Sequence, residues 1–134
     1  MTMGGRGAFE KSGGSGIAKE YREYSTISQI GRIKVVQWDK GINNKTINYS
    51  NTPNTTYYSY STRYNRIEKI YFFRNHRLYK SIDMKLNETP HVHYWKEGKS
   101  VGRKSHDPNN VFQLSGRDAR LVGQAQDWNE KHKK

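Results

Sequence analysis

The chain contains no cysteine. Disulfides, thiolate metal centres and a thiol nucleophile are thereby excluded, and folding requires no oxidising compartment. Apolar residues are also scarce: the aliphatic and aromatic set is 32% of the 134 residues, so the core must be thin. No segment is apolar enough to cross a bilayer, and no basic helix presents a broad apolar face, so no membrane partner is expected. No hydrophobic region follows Met1, and a secretion signal is not expected either. Acidic residues are few as well. Twelve Asp and Glu stand against 24 Lys and Arg, a formal net charge of +12 with a pI near 9.9. An excess of that size points to a polyanionic partner, RNA or another nucleic acid.

What the chain does have is tyrosine, ten of them, whose rings can fill a core while the hydroxyl stays hydrated or bonded. The length suits one domain. Residues 1–16 contain six glycines and read as a flexible arm, leaving 17–134 as a single domain. Lys11-Ser12 follows Glu10 rather than Gly, which rules out a phosphate-binding Walker loop.

Between Ile17 and Ile30 the spacing of Ile17, Tyr21 and Tyr24 suggests a short helix followed by a loop. Ile33 to Trp38 is β-branched and aromatic and reads as a strand. Residues 43–62 are dominated by Asn, Thr, Ser and Tyr, and Tyr57 to Tyr60 fits an edge strand or an exposed loop. Ile67 to Phe73 and Leu78 to Met84 flank a polar tetrad, Arg74-Asn75-His76-Arg77, the pattern of a β-hairpin with Leu78, Ile82 and Met84 on one face. A strand through His91 and His93 follows, then a polar, basic loop over 97–110. Ser115 as N-cap, Asp118 three residues on, and the stripe Leu121, Val122, Ala125 and Trp128 predict a final helix lying on the sheet. His76 in the turn and His132 in the basic tail read as surface residues.

The most specific local feature is Thr89-Pro90-His91-Val92-His93-Tyr94-Trp95. Side chains alternate along a strand, so His91, His93 and Trp95 share one face, with neighbouring positions roughly 6.5 to 7 Å apart. Two imidazoles on one surface suit RNA cleavage by transesterification. One group takes the ribose 2′-hydroxyl proton and another protonates the departing 5′-oxygen, and histidine holds both protonation states near neutrality. A cation must stabilise the charge gathered at phosphorus, for which Lys80, Lys85, Arg103 and Lys104 are candidates. Trp95 offers a ring on which a base can stack. The same His-x-His spacing also offers two ligands to zinc, with His106 or Asp107 as a third, but carboxylates are few around it, Asp83 and Glu88 being the ones shortly ahead of the strand, and no metal or other cofactor is expected. An exposed strand carrying two polar residues would need neither explanation.

Three stretches together resemble a known domain: Gly4-Gly5-Arg6-Gly7-Ala8, Lys80-Ser81-Ile82-Asp83, and Pro90-His91-Val92-His93 with Trp95. They are similar to a small phage-encoded domain found alone or at the C-terminus of minor head (head-morphogenesis) proteins, placed with the barnase, EndoU, colicin and RelE-like group of metal-independent ribonucleases. The resemblance implies an α+β fold, with a twisted antiparallel sheet of about four strands packed by one or two helices. It carries His91 and His93 over as site residues and Asp83 as a supporting one. The resulting expectation is a toxin-like RNA hydrolase acting in the host cytoplasm or on the virion, with Asp83 orienting one imidazole. The alternative is a non-enzymatic nucleic-acid-binding or phage structural protein, with a phage head or host protein as partner.

Overall fold

The computed structural model describes residues 24–38, 46–96, 99–101 and 114–133. The glycine-rich arm expected over 1–16, Arg103, Lys104, His106 and Asp107 lie outside the described residues.

Seven strands form one sheet: β1 (Tyr24–Ile30), β2 (Ile33–Trp38), β3 (Thr55–Ser61), β4 (Arg66–Arg74), β5 (Arg77–Asp83), β6 (His91–Lys96) and β7 (Lys99–Val101). They lie side by side in chain order. A single helix, α1 (Gly116–Lys131), follows them among the described residues. The α+β class holds, but the sheet is larger than the four strands expected. It is also mixed, because β3 runs parallel to β2 while every other pairing is antiparallel.

Turn chemistry explains the tight hairpins. Asn75 and His76 both adopt positive φ, 51° and 71°, and close β4 onto β5 in two residues with the primed-turn geometry that matches strand twist. Gly31, at φ 60°, supplies the same need between β1 and β2 without a Cβ penalty.

Three of the expected elements are corrected: within the loop expected over 97–110, Lys99–Val101 form β7 against β6. Residues 24–30 form a strand rather than a helix end or a loop. Tyr57 to Tyr60 belong to a strand held between β2 and β4, not to an edge. Tyrosine is what makes this possible: Tyr57 and Tyr58 bury their rings on opposite faces, and each hydroxyl finds a partner, Ser50 Oγ at 3.3 Å and the Leu121 carbonyl at 3.0 Å.

Alternation along the strands divides the core into two layers. One face carries Tyr24, Val36, Trp38, Ile47, Tyr57, Tyr71, Phe73 and Leu78. The other carries Val35, Tyr58, Ile67, Ile70, Phe72, Ile82 and Val92, and α1 packs there through Leu121, Val122 and Ala125. Ser115 caps the helix by accepting from the Asp118 N–H at 3.1 Å, as its sequence predicts. Trp128 is a packing residue, edge-on to Tyr60 and donating its indole N–H to Ser28.

A β-bulge between Phe72 and Phe73 pairs Phe72 with Lys80 and Phe73 with Leu78. It sends Leu78 to the face opposite Ile82 and Met84, correcting the expectation that all three share one face. A second bulge, opposite Ser59 and Tyr60, interrupts the ladder near Ile67. Asn129 of α1 fills that gap, accepting from the Ile67 N–H at 2.7 Å and donating to its carbonyl at 3.1 Å. His76 is more than a surface turn residue. Its N–H donates to the Pro53 carbonyl, its Nδ1 bonds the Ser50 carbonyl at 2.9 Å, and its ring stacks on Tyr49, pinning 49–53 against the hairpin.

Candidate functional site

The β5 and β6 strands pair Asp83 with His91 and Ser81 with His93. Each of these four neighbours a residue of the helix-side core, Ile82 or Val92, so all four side chains fall on the face away from α1. Trp95 joins them, packing against the Tyr57–Tyr71 layer and donating its indole N–H to Ser81 Oγ at 2.8 Å.

The two histidines do not stand apart on an open face. Their ring centroids are 4.9 Å apart in an edge-to-face arrangement, and both turn Nε2 toward one oxygen of Asp83. His93 Nε2 lies 3.0 Å from Asp83 Oδ2 and His91 Nε2 lies 3.6 Å from it. All three side chains are largely shielded, at 12%, 18% and 14% exposure for His93, His91 and Asp83. The bonding pattern assigns the protons. His91 Nδ1 is 3.1 Å from the Thr89 carbonyl, which can only accept, so Nδ1 carries hydrogen. When this ring is neutral, its Nε2 is the basic atom. His93 Nε2 at 3.0 Å from a carboxylate is the donor of that bond. His91 Nε2, at 3.6 Å, stands beyond hydrogen-bond distance of the same oxygen.

Among the proposed cations, Lys80 does not reach this face. It lies on the helix side, pairs with Asp118 at 2.7 Å and sits over the Phe72 ring at 4.6 Å. Lys85 is exposed and acts on Glu68, whose carboxyl burial pushes above its ordinary range while Arg66 and Lys85 pull it back. Among the described residues, a cation that does lie on the histidine face is Lys69, which β4 places directly across from Asp83 and which β3 flanks with Ser59. Nothing in the sequence singles out Lys69, because its register depends on the two bulges in β4 and its partners.

A second feature is basic. A groove of about 260 Å³ is lined by Asn54, Thr55, Thr56, Arg74, Tyr79 and Arg117, at the turn end of the β4–β5 hairpin and the first turn of α1. The Arg74 guanidinium lies 4.2 Å over the Tyr79 ring. Two guanidinium groups beside amide and hydroxyl groups form a surface able to grip a phosphate. Among the described residues, no helix is long and apolar enough to cross a membrane. No family model matches this chain, nor does any curated protein or solved structure.

Proposed function

We propose that this protein cleaves RNA by metal-independent transesterification at Asp83, His91 and His93. The observation that carries the reading is the convergence of two imidazoles on one shielded carboxylate, on the surface of a strongly basic chain. His91, protonated at Nδ1 by its bond to Thr89, takes the ribose 2′-hydroxyl proton on Nε2. The 2′-oxygen attacks phosphorus, and the 5′-oxygen leaves with a proton from the His93 imidazolium. Asp83 holds that ring through Nε2, so the donated proton comes from Nδ1. The products are a 2′,3′-cyclic phosphate and a 5′-hydroxyl. Lys69 supplies positive charge on the same face, in place of Lys80.

The test is incubation with RNA in EDTA and analysis of the product ends. Cyclic phosphate termini that disappear in both His91→Ala and His93→Ala support the reading; no cleavage, or cleavage indifferent to both substitutions, removes it. The basic groove at Arg74 and Arg117 favours a second reading, a nucleic-acid-binding protein without chemistry. That reading expects affinity that falls steeply with salt, as displaced counterions return to the phosphates.

A further inference from the structure

We propose that Asp83, His91 and His93 also form a binding site for a late first-row divalent cation, with zinc as its best-suited occupant, and that zinc bound there shuts off RNA cleavage. The second half rests on the acid/base reading above; the first does not.

Three groups carry the argument, one ligand atom from each lying within 4.8 Å of the others. Tetrahedral zinc with bonds of about 2.0 to 2.1 Å holds its ligands roughly 3.3 Å apart. The two separations to Asp83 Oδ2, 3.0 and 3.6 Å, straddle that value, and the remaining pair of ligand atoms lies within 4.8 Å. The donor set decides the class of ion. Two imidazole nitrogens and one carboxylate oxygen suit zinc and its neighbours, whereas magnesium and calcium require oxygen-rich cages.

The supporting structure is also of the kind a metal site needs. A zinc-bound histidine donates its other ring N–H to an outer acceptor, which fixes the ring and raises its basicity. His91 does this through Nδ1 to the Thr89 carbonyl at 3.1 Å. The ligands stand on adjacent hydrogen-bonded strands rather than on a loop, so the spacing of their Cα atoms is set by the sheet. Three protein donors leave a tetrahedral ion one further position, the place of a solvent molecule or an anion. A bound cation occupies His91 Nε2, the atom that the cleavage reaction uses as its base. Acid/base chemistry and metal binding therefore exclude one another.

Isothermal titration with zinc chloride, and cobalt(II) titration followed by visible absorption, read binding without reference to activity. The expected result is one ion per chain with Kd at or below about 10 µM. Cobalt should show the intense visible bands of a four-coordinate site. Asp83→Asn and His91→Gln should each weaken binding at least about tenfold, with folding checked by circular dichroism, while His132→Ala should not. Absence of stoichiometric binding, or binding unchanged in both variants, overturns the site. The cobalt spectrum of the unaltered protein decides the matter even if a variant fails to fold, because weak six-coordinate bands contradict the proposed geometry. In the cleavage assay, zinc should inhibit in step with occupancy and EDTA should restore activity. Zinc that binds without inhibiting would instead separate the metal site from the acid/base pair and overturn the inhibition.

Discussion

Replacing Lys80 by methionine distinguishes a structural lysine from one that meets nucleic acid. Methionine keeps the length of the apolar stem and its contact with Phe72, and removes only the ammonium. Asp118 then loses its 2.7 Å partner while its side chain is 5% exposed, and its other oxygen, Oδ1, is already buried without a hydrogen-bond partner among the described residues. Breaking a buried ion pair from one side costs about 3 to 5 kcal/mol, since a charge is left behind. Asp118 lies in the first turn of α1, where the helix dipole returns about 0.3 to 1 kcal/mol, and Lys80 at 16% exposure leaves a path for water. The expected loss is therefore about 2 to 4 kcal/mol. In urea unfolding followed by circular dichroism, with a slope of about 1 to 3 kcal/mol per molar, the midpoint falls by about 0.7 M or more. Substituting both partners, Lys80→Met with Asp118→Leu, should recover most of the loss, because an apolar pair of similar volume carries no stranded charge. RNA affinity should stay within about twofold. A destabilisation below about 1 kcal/mol, or single losses that simply add in the double variant, would refute the reasoning. A fall in RNA affinity would return Lys80 to the phosphate-contacting group.

Two further perturbations probe the contact between sheet and helix. Burial pushes the Tyr58 phenol from 10.0 up to about 12, so the native state keeps a proton that the unfolded chain gives up. Stability should accordingly fall by about 2 kcal/mol as pH rises from 10 to 12, and Tyr58→Phe should flatten that slope in alkaline denaturation series. Asn129→Ala removes both bonds to the Ile67 backbone and leaves that buried peptide unsatisfied; a loss of about 1 to 3 kcal/mol is expected in thermal or urea melts.

Alternation is the rule that made the histidine face legible: Val92 in the core puts His91 and His93 opposite it. The same rule applied to β5 already separates Lys80 from Asp83, an odd and an even position along one strand, and no bulge lies between them. What alternation cannot supply is register. That Asp83 faces His91, and that Lys69 faces Asp83, depends on the length of the turn at 84–90 and on bulges that single residues introduce. The central place of β3 was hidden by composition, since the Asn, Thr and Ser around Tyr57 and Tyr58 read as an exposed segment although both rings are buried. Its parallel pairing with β2 is a long-range choice with no local pattern. The final helix was legible because both its cap and its stripe are local. The groove at Arg74 and Arg117 was not, because β4 and α1 meet there only after folding.

All the side chains of the histidine cluster, from Ser81 to Trp95, belong to one hairpin. Joining Asp83 to His91 closes a loop of about ten residues, which unfolded chains do in about 10 to 100 ns. The parallel join of β2 to β3 must first gather the chain between Trp38 and Thr55, a slower step. The carboxylate and both imidazoles are thus encoded in a short cassette, while the longer-range pairing of β4 brings Lys69 to it. One substitution at Asp83, His91 or His93 takes away the chemistry at a position that the buried layers on either side of the sheet do not use.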